Sequence, residues 1–89
     1  MEERDYKFSQ EKKEEIFHIL LMDKYLPEFP FDIEKISYLD GCKVYFKNGG
    51  WVIARFSGTE PLLRIFCEMP EKEDAKIICI IFEEFLKIK

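Results

Sequence analysis

Residues 34–56 read EKISYLDGCKVYFKNGGWVIARF. Three short runs rich in β-branched and aromatic residues are broken by Asp40-Gly41 and by Asn48-Gly49-Gly50. Such breaks supply the backbone freedom of tight reversals, so each predicts a hairpin between neighbouring antiparallel strands. Val44 and Phe46 alternate with Lys43, Tyr45 and Lys47, the period of a strand with one buried face. A further run, LLRIFCE at 62–68, follows a short loop and completes a four-stranded antiparallel meander.

Outward from the meander, both flanks change period. Upstream, Ile16, Phe17, Leu20 and Leu21 form an apolar stripe at helical spacing. Ser9 is placed to cap that helix and Glu11 falls in its first turn, with the helix ending near Leu26 before Pro27. Downstream, Pro70 and the acidic Glu71, Glu73 and Asp74 open a second helix running to the C-terminal residues. Its core stripe is Ala75, Ile78, Cys79, Phe82, Phe85 and Leu86. Ile77, Ile81 and Ile88 make a second stripe, which either packs on the first helix or faces a neighbour outside this chain. The expected fold is therefore α+β: a four-stranded antiparallel sheet with two helices on one face. Residues 1–7 are polar and read as a flexible N-terminal segment, leaving 8–89 as a single domain.

Composition removes several functions. The chain has 89 residues, 47% hydrophobic and 36% charged, enough for one core. A net charge of −4 argues against a nucleic-acid binder, which needs a basic face. Cys42, Cys67 and Cys79 form no CxxC pair, and no secretory signal is visible, so they read as reduced thiols of a cytoplasmic protein. The one histidine, His18, has no ligand-spaced neighbour, so no metal site is expected and His18 reads as a surface or boundary residue. The apolar run IICIIF is too short to span a membrane.

Chemistry concentrates on the connection before the last strand, RFSGTEPLLRIFCE at 55–68. Antiparallel pairing brings Arg55 and Arg64 to one end of the sheet, flanking the loop. Ser57 and Thr59 add hydroxyls, and Gly58 allows both close approach to the backbone N–H groups and positive φ. Guanidinium forks match phosphate or carboxylate. Glu60 is the exception, an anion in an anion-binding pattern. The competing reading is a structural hairpin in which Ser57 and Thr59 bond the local backbone and Arg55 pairs with Glu60 or Glu68. Residue chemistry alone leaves the two about even.

The run Arg55-Phe56-Ser57-Gly58-Thr59-Glu60-Pro61, with Arg64 and Glu68 following, closely resembles the C-terminal phosphate-binding motif of the α-D-phosphohexomutases. That family comprises phosphoglucomutases, phosphomannomutases and phosphoglucosamine mutases. The likeness runs from Ile36 to Phe85. It implies the family's TBP-like fourth domain, with Arg55, Ser57, Gly58, Thr59 and Arg64 binding the phosphate that is not being transferred. The implied parent reaction moves phosphate between C1 and C6 of a hexose phosphate. The family's catalytic serine, its magnesium-binding aspartates and its sugar-selecting loop belong to three other domains. No matching DxDxD or serine-histidine motif occurs here. The expectations are thus a hexose phosphate and the missing catalytic domains as partners, no catalytic residue and no cofactor in this chain, and Mg2+ only for a full-length enzyme. A free-standing module sensing phosphorylated metabolites is the alternative, and a purely structural loop in a protein-interaction domain is a third.

Overall fold

A computed structural model describes residues 1–88. The elements are β1 (Glu2–Lys7), α1 (Gln10–Phe17), β2 (Ile33–Ser37), β3 (Cys42–Phe46), β4 (Trp51–Phe56), β5 (Leu62–Glu68) and α2 (Lys72–Leu86). The four expected strands are β2 to β5. The sheet has five strands in the order β1-β5-β4-β3-β2, all antiparallel. The four-strand expectation is corrected by β1, which lies in the polar segment expected to be flexible.

Why β1 escaped a reading by polarity is visible in its pairing. Glu2, Arg4 and Tyr6 stand opposite the buried Cys67, Ile65 and Leu63, on the helix-covered side. Its inward row is therefore polar, and an apolar alternation never appears. The row is accommodated by Glu83 of α2, which accepts from Arg4 Nη1 at 2.8 Å and from the Tyr6 hydroxyl. Burial, followed by the bond to Glu83, raises the Tyr6 pKa.

On the other strands the alternation is apolar and the core follows from it. Cys42, Val44 and Phe46 of β3, Val52 and Ala54 of β4, and Leu63, Ile65 and Cys67 of β5 point to one side. Ile16 and Leu20 from the first helical segment, and Ala75, Ile78, Cys79, Phe82 and Leu86 from α2, close over them. Full burial of a side chain such as Phe46 or Phe82 contributes about 1.5–3 kcal/mol. Phe29, in the proline-punctuated connection, bridges the two, packing its ring on Phe46 and Phe82.

Ser9 caps α1 as expected, its hydroxyl accepting from the Lys12 amide at 3.1 Å. The helix then widens into a single π turn, His18–Met22, and stops short of the expected Leu26. Of the second isoleucine stripe, Ile81 and Ile88 are half-buried, whereas Ile77 is 43% exposed, as is its neighbour Ile80.

The β2–β3 reversal depends on Gly41. Its φ is +82°, and a Cβ there would sit 2.4 Å from the Ala54 carbonyl oxygen. Only glycine satisfies both conditions. On the outer edge, β2 carries a register irregularity between Ile33 and Lys35, a device that discourages further strand addition.

Candidate anion-binding site

The β4–β5 register places Arg55 directly opposite Arg64. Directly opposed residues share a face, so both guanidiniums project from the open side of the sheet, and both are exposed. Like charges across a strand pair repel. Each is balanced by an acid: Asp40 lies 3.5 Å from Arg55 Nε, and Asp5 of β1 lies 3.5 Å from Arg64 Nε. Pairs this long and exposed contribute little, and a better anion displaces them at small cost. Arg55 thus pairs with neither Glu60 nor Glu68, the partners that the structural-hairpin reading required.

The loop between the arginines is internally braced. Ser57 N–H donates to the Leu62 carbonyl at 3.0 Å, and Leu62 N–H donates to the Glu60 carbonyl at 2.8 Å. Ser57 Oγ accepts from the Thr59 and Glu60 amides at 3.4 and 3.3 Å. In this respect the local-backbone reading of Ser57 holds. A hydroxyl that accepts still has its own hydrogen to donate, so Ser57 remains a donor toward solvent. The Thr59 hydroxyl lies on the exposed surface.

Gly58 does not use positive φ; among the described residues the glycines that do are Gly41 and Gly49. The freedom expected of Gly58 is instead spatial. A Cβ there would meet no atom within 4 Å, and its N–H has no partner among the described residues. The loop therefore offers open backbone at its tip, with an arginine on each side of its base.

One contributor left no sequence signal. Lys13, on α1, sends its ammonium to the Ser57 carbonyl at 3.3 Å and the Glu60 carbonyl at 3.4 Å. In sequence it is indistinguishable from Lys12, which pairs with Glu15 at 3.2 Å. Phe8 N–H, just past the end of β1, donates to the Pro61 carbonyl at 3.1 Å and ties the same loop to the strand.

Elsewhere, chemistry is sparse. His18 is exposed and its Nδ1 lies 3.0 Å from Asp23. The three cysteines are free and buried, and burial raises Cys42 and Cys79 to about 11 and Cys67 to about 12. Among the described residues no three histidine, cysteine, aspartate or glutamate side chains gather as a metal centre. No described helix is long and apolar enough to cross a membrane.

Comparison with known proteins agrees with the loop motif. A probable phosphoglucosamine mutase of Methanosphaera stadtmanae is 37% identical over 75 residues, covering 84% of this chain and 16% of the relative. A phosphoglucomutase/phosphomannomutase of Thermococcus kodakarensis is 50% identical over 42 residues, covering 47% of this chain and 9% of the relative. A probable phosphoglucosamine mutase of Methanococcoides burtonii is 52% identical over 40 residues, covering 45% of this chain and 9% of the relative. The chain thus spans less than a fifth of these relatives. Residues 7–82 match the family described as phosphoglucomutase/phosphomannomutase, C-terminal domain, and the chain belongs to that family.

Proposed function

We propose that this chain is the substrate-phosphate clamp of a phosphohexomutase, holding the phosphate that is not being transferred. The observation that carries it is the Arg55–Arg64 cross-strand pair at the base of a loop whose Gly58 N–H is open. Two opposed guanidiniums cost stability in the empty domain, and a dianion between them removes that cost. The binding groups are Arg55, Ser57, Gly58, Thr59 and Arg64. In the parent reaction, a hexose bisphosphate intermediate must be retained while it reorients. A clamp on the remote phosphate turns binding energy into positioning of the reacting end. Catalysis, magnesium and sugar choice belong to the other domains, so the isolated chain binds without turnover.

The open Ile77 supports a domain with a neighbour over the free-standing sensor, which would have its second stripe covered. Binding by the domain alone is weak. Four charge-assisted contacts at about 1.5–3 kcal/mol each total about 6–12 kcal/mol. Association removes at least about 4 kcal/mol and solvent exposure more, leaving a Kd on the order of millimolar.

The test is a titration of glucose 1-phosphate, with inorganic phosphate as control, into 15N-labelled protein. Saturable shifts at the Ser57, Gly58 and Thr59 amides are expected, and Arg55→Ala should abolish them. Absence of any loop shift at tens of millimolar in this chain, persisting when the other domains are supplied, would overturn the reading.

A further inference from the structure

We infer that Lys13 is the positioning residue of the anion loop, holding its backbone in binding shape from beneath. The inference rests on the anion-site reading for its functional consequence. Its geometric basis is independent of that reading. A trans peptide sets its N–H opposite its C=O, and the described chain contains no cis peptide bond. The Ser57 carbonyl faces the Lys13 ammonium at 3.3 Å. The N–H of the same peptide, that of Gly58, therefore points away from α1 and out of the loop. This is the one loop-tip amide left without a partner by the internal bracing. Lys13 also reaches the Glu60 carbonyl, so one cation ties both shoulders of the loop.

Two physical effects follow. A cation on a carbonyl oxygen polarises the peptide and makes its N–H a stronger donor. The same charge, half-buried under the loop, adds to the field of Arg55 and Arg64 without occupying the ligand's place. The residues joined are 44 and 47 positions apart, so this brace exists only in the folded domain. It also joins α1 to the loop through a single side chain.

The experiment compares Lys13→Met with Lys12→Met. Both remove one positive charge from the same helix, but Lys12 does not touch the loop. Phosphate affinity is read from the Gly58 and Thr59 amides, and thermal melts are recorded alongside. Lys13→Met should weaken phosphate about tenfold, the equivalent of one lost charge-assisted bond. Lys12→Met should change affinity less than twofold, and Lys13→Arg should recover most of the loss. Equal effects from the two methionine variants would overturn the inference, since charge alone would then explain them.

If the wild-type chain shows no phosphate response, the anion-site reading fails by itself. The brace is then judged from 15N relaxation of the ligand-free loop. Greater ps–ns mobility at Gly58 and Thr59 in Lys13→Met, and not in Lys12→Met, sustains it, whereas unchanged relaxation refutes it. Should Lys13→Met fold poorly, Lys13→Ala, which removes the charge and the donors together, is read in the same way.

Discussion

At the scale of single residues, Gly41 and Gly58 do opposite work. Gly41 is required by the fold: its φ of +82° and the Ala54 oxygen behind it exclude any side chain. Gly58 is tolerant in the empty domain, because a Cβ would point into open space. The two substitutions therefore separate stability from binding. Gly41→Ala should lower stability by at least about 1–2 kcal/mol from the left-handed backbone alone, read as a lower urea midpoint with an unchanged slope. Gly58→Ala should leave that midpoint within about 0.5 kcal/mol while crowding the approach to the loop, so phosphate affinity falls. A stable Gly41→Ala domain would mean that the hairpin can re-form another turn.

At the scale of elements, β1 is tied to α2 as well as to its strand partner. Glu83 is largely buried and Arg4 half-buried, the two are bonded to one another, and the Tyr6 hydroxyl joins them. Removing one member of a buried pair strands the other; complete burial would cost about 3–5 kcal/mol, and the partial exposure of Arg4 brings this nearer about 2 kcal/mol. Glu83→Ala should therefore destabilise the domain by about that amount, and amide hydrogen exchange should rise first along Glu2–Lys7. Loss spread evenly over the sheet would mean that β1 is held by its backbone ladder alone.

This element also marks where sequence reading runs out. β3, β4 and β5 were legible because turns and apolar alternation are both local signals, written within a few residues. β1 was not, because its inward Glu2, Arg4 and Tyr6 become acceptable only beside Glu83, which is distant along the chain. The site divides in the same way. Arg55, Ser57, Gly58, Thr59 and Arg64 lie on one hairpin and could be named together. Lys13 could not, since a surface lysine on a helix carries no mark of the loop that it reaches.

For the whole molecule, the buried thiols set a limit in alkali. Their folded pKa values, about 11 for Cys42 and Cys79 and about 12 for Cys67, stand above the ordinary 9.0 because burial disfavours the thiolate. An unfolded chain therefore releases these protons first. Their contribution is fully present below pH 9 and is lost as pH rises from 9 toward 11–12, with a slope of up to about 1.4 kcal/mol per pH unit per thiol. Urea midpoints should be flat from pH 7 to 8 and fall between 9 and 10. Iodoacetamide at pH 8 should spare all three thiols until urea is added; rapid labelling of the folded domain would contradict their burial.

The pairing of β1 with β5 has a practical consequence for presenting the domain on a surface. Lys7 pairs with Leu62 at the loop, whereas Glu2 pairs with Cys67 at the far end. Six steps of about 3.3 Å each lead from Met1 to Lys7, so an anchor at Met1 stands about 20 Å from the loop. α2 starts beside Met1, where Lys72 and Lys76 share a cavity with it, and advances toward Tyr6 by Glu83. Immobilised through its first residue, the domain would present the loop outward to whatever flows past.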